Sequence, residues 1–194
     1  MEGNRVIFRI RDPIASDLDV MGINEYIGWY SHLPGDADAT EWTSAYDKPL
    51  IMSEFGGDAL YGYHGDALTR WTEEYQESVY RHQITMLKRI PFLRGIAPWV
   101  LKDFRSPRRT LPHFEDYFNR KGLVTDRGEK KKAFFVLQEF YRELQGREAR
   151  GSRRRLGRWR TLFQGYLAWC ASFESGTPRR WFAARRGRCC RWAR

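Results

Sequence analysis

The chain has 194 residues, with 34 Lys+Arg against 24 Asp+Glu, and is 42% apolar and 15% aromatic. That length suits one ordinary domain and excludes two large ones, and the apolar content excludes compositional disorder. No run of eighteen apolar residues occurs, so no transmembrane helix is expected, and residues 1–5 lack the basic-then-apolar layout of a secretory leader.

The charge of +10 is not spread along the chain. Residues 151–194 hold twelve arginines, no lysine and one acidic residue, Glu174, whereas residues 1–150 hold 22 basic and 23 acidic residues. The basic character thus belongs to the tail, and nothing in residues 1–150 suggests a nucleic-acid or membrane partner. Cys170, Cys189 and Cys190 also lie in the tail. Two adjacent cysteines give neither a disulfide framework nor metal-ligand spacing.

In chain order, the first strong pattern is the apolar stretch 18–26, which reads as a buried strand ending in Asn24, Glu25 and Tyr26. A weaker helix is expected over 38–46. Residues 49–55 read as a second buried strand, from which Glu54 emerges before Phe55-Gly56-Gly57 turns the chain. The span 72–90 reads as a helix, with Tyr75, Val79, Met86 and Ile90 on one face, acidic residues first, basic residues last and Pro91 beyond. Residues 95–102 read as a third strand. Residues 129–144 read as a closing helix, with Phe134, Leu137, Tyr141 and Leu144 in helical register and Gly146 as its cap.

Strands alternating with helices predict parallel βα units, from either a doubly wound sheet or part of a barrel. A closed (β/α)8 barrel takes about 250 residues, so only about three of its units fit here. In such folds the chemistry gathers where strands end. Those ends supply Asn24, Glu25, Tyr26, Glu54, Trp99, Lys102 and Asp103. By spacing alone, Glu54 is equally a strand-end carboxylate paired with an arginine, and Tyr26 and Trp99 are core aromatics.

Five ordered motifs go further: 24–30 (NEYIGWY), 53–57 (SEFGG), 71–76 (WTEEYQ), 99–104 (WVLKDF) and 119–122 (NRKG). Together, over about residues 8–145, the chain resembles the C-terminal part of the catalytic barrel of glycoside hydrolase family 2, on the side of its β-glucuronidases and β-galactosidases. The resemblance implies an α/β fold, a partial (β/α)8 TIM barrel carrying its last three units. It also implies a retaining exo-β-glycosidase acting on a carbohydrate, most closely a β-glucuronidase, with β-galactosidase and β-galacturonidase as alternatives. No metal or organic cofactor is implied, because two carboxylates perform the chemistry. The parent enzyme implied is a homo-oligomer.

By the same resemblance Glu54 matches the nucleophile, Tyr26 the phenol that hydrogen-bonds it, and Trp99 the aromatic floor of the sugar site. Asn24 and His64 match residues near the pocket. Asn119 and Lys121, in Asn-x-Lys spacing, match the pair that reads the C6 carboxylate of uronic acids. An amide and an ammonium two residues apart in an extended loop project the same way and suit an anion. Asn24-Glu25 imitates the family's acid/base pair but falls on the wrong strand, so Glu25 is read as a decoy. The acid/base is expected in sequence outside this chain, and the chain alone is expected to lack hydrolase activity. Asp103 is expected to support Trp99 or line the rim. Residues 105–109 and 130–132 are expected to be solvated.

The division expected is a barrel segment over 1–150 and a tail over 151–194 that is unstructured or an out-of-frame translation. A rival reading makes the chain a non-catalytic binding fragment with an Arg-rich, nucleic-acid-binding arm.

Overall fold

The computed structural model describes residues 6–151. Residues 6–144 form one compact unit, and beyond it only 145–151, the last turns of a helix, are described. The expectations for the tail after residue 151 fall outside the described residues.

Among the described residues, seven strands and two α-helices run in the order β1 (Ile7–Ile10), β2 (Met21–Asn24), β3 (Glu41–Ser44), β4 (Leu50–Glu54), α1 (Glu73–Lys88), β5 (Leu93–Ile96), β6 (Phe104–Arg105), β7 (Phe118–Asn119) and α2 (Lys132–Gly151). Strands β2, β4 and β5 form a parallel sheet in that order, with β4 central. Strands β1 and β3 form a second parallel pair, and β6 and β7 a short antiparallel one. The fold is mixed α/β with parallel sheets, and β2, β4 and β5 overlap the three strands expected at 18–26, 49–55 and 95–102.

Several expected elements differ. Residues 38–46 are not a helix: Pro34–Ala39 form a 3₁₀ turn and Glu41–Ser44 a strand. Trp42 and Thr43 have side chains suited to a pleated surface, and β1 offers a ladder for them. The crossover between β2 and β4 therefore carries β3 rather than an α-helix. Strand β1 was unforeseen; exposed and half-buried positions alternate along it. The third strand ends at Ile96 instead of running to Lys102, since Pro98 cannot donate to a ladder. Gly146 does not end the helix, because α2 continues through it.

Helix α1 organises the sheet's C-terminal edge. Thr72 caps it by accepting from the Tyr75 N–H at 3.0 Å, and Glu73, Glu74 and Lys88 complement its dipole. Its buried face presents Tyr80, Ile84, Met86 and Leu87 to a core that includes Leu50, Met52 and Phe55. Three buried polar side chains on that face tie down the loops beyond the strands. The Tyr75 hydroxyl donates to the Gly28 carbonyl (2.7 Å), Gln76 Nε2 to Gly57 (2.8 Å) and Gln83 Nε2 to Ile27 (2.7 Å). Buried backbone carbonyls need such partners, so α1 fixes the turns after β2 and β4. No helix among the described residues is long and apolar enough to cross a membrane.

Candidate active site

Glu54 is the last residue of the central strand, and Tyr26 lies two residues beyond its neighbour β2. The ladder shifts register between Ile23 and Asn24, which pairs Asn24 with Glu54. The Glu25 N–H then donates to the Glu54 carbonyl at 2.9 Å. This irregularity aims Tyr26 across the strand ends, where its hydroxyl donates to Glu54 Oε2 at 2.6 Å. Burial raises the Tyr26 phenol far above its ordinary 10, and the bond to Glu54 and the carboxylate charge push it the same way. The phenol thus remains a proton donor at any physiological pH.

The backbone after Glu54 must turn at once. Gly56 adopts φ +132°, and a Cβ there would lie 2.5 Å from the Tyr80 hydroxyl. The turn also receives the segment following β5, through the Trp99 N–H donating to the Phe55 carbonyl (2.9 Å). The next amide, Val100 N–H, donates to the Lys121 carbonyl (3.2 Å). Trp99 is half-buried, with its ring edge-on to Phe104 at 6.3 Å. Glu54, Tyr26, Trp99 and the 119–122 loop are therefore gathered at one edge of the sheet.

Lys121 is 1% exposed. Its ammonium pairs with the buried Asp58 carboxylate and lies 4.8 Å from the Tyr30 ring, 5.3 Å from Trp29 and 5.7 Å from Tyr26. The Asn119 side-chain oxygen accepts the Lys121 N–H at 3.1 Å. The two residues are thus locked to each other. Tyr30 shows the field this creates. Burial works to raise its phenol, but Lys121 and Arg109 outweigh that and lower it. Arg109 reaches the Tyr30 hydroxyl at 3.3 Å and Glu115 at 3.1 Å, so this arginine of the 105–109 stretch is engaged rather than merely solvated.

Asn24 is exposed and accepts from the Ser53 hydroxyl at 2.8 Å. His64 is exposed and contacts Glu74 at 3.0 Å, and no described contact joins it to the Glu54 cluster. Glu25 is raised by burial, with the Tyr26 and Ile27 N–H groups and His32 opposing, so its carboxylate engages its own turn.

Sequence reasoning missed the charged layer beneath the site. Asp103 neither supports Trp99 nor lines a rim. It is buried, accepting from the Gly122 N–H at 2.8 Å and from Lys131 Nζ at 2.9 Å. Lys131, expected on a solvated face, is fully buried and also donates to the Ala59 and Arg120 carbonyls at 2.7 and 2.8 Å. Burial lowers the Lys131 ammonium and raises the Asp103 carboxyl, each opposed by its partner. Gly122 is obligatory, since a Cβ there would lie 2.2 Å from the Asp103 nitrogen. Asp58, after Gly56-Gly57, had no sequence signal beyond its place after a strand. Among the described residues, no group of three His, Cys, Asp or Glu is arranged to hold a metal.

Comparison with known proteins supplies independent context. No protein-family model matches the chain. It is 33% identical over 141 residues to the β-glucuronidase of Sus scrofa, covering 66% of this chain and 21% of that protein. It is 35% identical over 144 residues to the β-glucuronidase of Homo sapiens, covering 67% and 21%. Among solved structures, it is similar to a β-galacturonidase of glycoside hydrolase family 2 from Eisenbergiella tayi, bound to galacturonate. That match has a TM-score of 0.56 and 26% identity, over 64% of this chain and 24% of that one. About two thirds of the chain is therefore a β-glucuronidase-like region, and the chain spans about a fifth of the length of the curated relatives it matches.

Proposed function

We propose that residues 1–150 supply the last three strand-helix units of a (β/α)8 barrel in a retaining β-glucuronidase, with Glu54 as its nucleophile. The observation that carries this reading is the 2.6 Å hydrogen bond from the Tyr26 hydroxyl to Glu54 Oε2 at adjacent parallel strand ends. A glycosidase nucleophile must be ionised and fixed in one orientation, and a phenol that keeps its proton does both while occupying only one carboxylate oxygen. In the reaction Glu54 attacks the anomeric carbon, the aglycone oxygen leaves with a proton from a general acid, and water then cleaves the glycosyl ester. The general acid is assigned to the remainder of a longer protein, in keeping with the fifth of its relatives' length that this chain spans. Trp99 offers an indole face to the sugar, with Asn24 and His64 at the periphery. Asn119 and Lys121 face the C6 carboxylate, and carbohydrate chemistry of this kind requires no metal or organic cofactor.

A second reading, a β-galacturonidase, has support from the likeness to the galacturonate-bound enzyme. The two sugars share the C6 carboxylate and differ at C4, so Lys121 serves either. The test grafts residues 8–145 into the matching stretch of a β-glucuronidase relative. A 2-deoxy-2-fluoro-β-glucuronyl fluoride is then offered, whose fluoride leaves without acid assistance. The expected result is a covalent adduct on the Glu54 peptide, absent from Glu54→Gln. An adduct on another carboxylate overturns the assignment. Turnover of 4-nitrophenyl glucuronide, galacturonide and galactoside ranks the alternatives.

A further inference from the structure

We propose that Asp58 is a positioning residue that holds Lys121, and through it the uronate-reading end of the site. This rests on the function proposed above for Lys121 but concerns a residue that reading does not use. Asp58 is fully buried and divides its carboxylate between two partners on the 119–122 loop. Oδ1 accepts the Arg120 N–H at 3.1 Å, and Oδ2 takes the Lys121 ammonium. One side chain thus fixes both the backbone and the charge of the loop. Asp58 is itself fixed by its place four residues beyond Glu54, where the Ala59 N–H donates to the Arg120 carbonyl at 3.1 Å. The connection runs from the strand that carries Glu54 to the loop that carries Lys121. An ammonium has three donors, of which Asp58 and the Tyr30 hydroxyl engage two, so the lysine is oriented without being exhausted. A lysine on a four-carbon stem has no fixed direction of its own, and a buried charge partner supplies one.

The test uses the full 194-residue chain, with acetic anhydride as an amine probe and mass spectrometry as the readout. Lys121 should acetylate at least about tenfold more slowly than exposed Lys130, and Asp58→Asn should erase that difference while Lys131 stays protected. Asn preserves an acceptor for the Arg120 N–H and removes only the charge. Continued protection of Lys121 in Asp58→Asn overturns the proposal. So does loss of protection at both Lys121 and Lys131, which would make Asp58 a general structural residue. Titration with methyl β-D-glucuronide and methyl β-D-glucoside separates this outcome from the functional reading. Lys121→Ala should abolish any preference for the glucuronide, and Asp58→Asn should reduce it about tenfold. A wild-type chain with no preference defeats the uronide reading, and the acetylation result still decides the role of Asp58. Tighter glucuronide binding by Asp58→Asn would show that Asp58 competes for Lys121 and does not position it, overturning the proposal.

Discussion

Tyr26→Phe isolates the contact on which the proposed chemistry depends. It removes one oxygen, keeps the ring that meets Tyr30 edge-on at 5.1 Å, and leaves Glu54 without the donor that lay 2.6 Å from Oε2. A hydrogen bond to a charged group contributes about 1.5–3 kcal/mol. At about 1.4 kcal/mol per tenfold, kcat/KM of the grafted enzyme on 4-nitrophenyl β-D-glucuronide should fall by about 10- to 150-fold. The rate of covalent trapping by the fluoro sugar should fall by the same factor, since both steps begin with attack by Glu54. The pH behaviour follows from the direction of the Tyr26 shift. Burial, then the bond to and charge of Glu54, hold the phenol's pKa well above 10, so no loss of donor should appear as pH rises to 10. A fall in kcat/KM below about threefold would refute the reasoning, because an exposed or redundant contact gives that little. A trapping rate unchanged while turnover falls would place the role of Tyr26 in a later step.

Other expectations concern the frame that holds the site. Leu50→Ala, at a fully buried position of the central strand, should cost about 2–5 kcal/mol in chemical denaturation of the chain, and a loss under 1 kcal/mol would contradict the assigned core. Lys131→Met leaves the Asp103 carboxylate buried with only Arg120, at 3.7 Å, as a charged partner, and should cost about 3–5 kcal/mol. Adding Asp103→Asn should recover part of that loss, and strict additivity would argue against coupling. Burial works to raise the Glu74 carboxyl, but Lys132, the helix N-terminal backbone, His64 and the Gly65 N–H outweigh it, taking it from an ordinary 4.5 to about 2. A depressed carboxyl stabilises the fold above its unfolded value, and that contribution disappears as pH falls from 4.5 through about 2. Wild type should therefore lose stability over this window faster than Glu74→Gln, and parallel curves would refute the assignment.

The strands that form the three-stranded sheet were legible because each falls in or beside a short apolar run, such as Leu50–Met52, bounded by polar and turn residues. Helix α1 was legible through its first-turn acids, its last-turn base and the proline beyond it. Glu54, Tyr26, Trp99, Asn119 and Lys121 could be nominated because strand ends and ordered motifs point to them, and the fold gathers these five at one edge. Strand β3 was misread as a helix because pairing to a distant strand decided it. The window 38–46 does not contain β1.

What the sequence determined by itself was the local grammar: where the apolar runs lie, where helix α1 begins, which carboxylate leaves the central strand, and that the excess charge belongs to residues 151–194. Tertiary structure alone decided which polar groups meet in the interior. Lys131 and Lys130 are neighbours in a charged run, yet Lys131 is fully buried on Asp103 while Lys130 is exposed. Asp58 and Lys121 are 63 residues apart and meet only because β4 and the 119–122 loop converge. A charge is favourable in the interior only when a partner arrives from elsewhere in the chain, and composition and periodicity carry no record of that arrival.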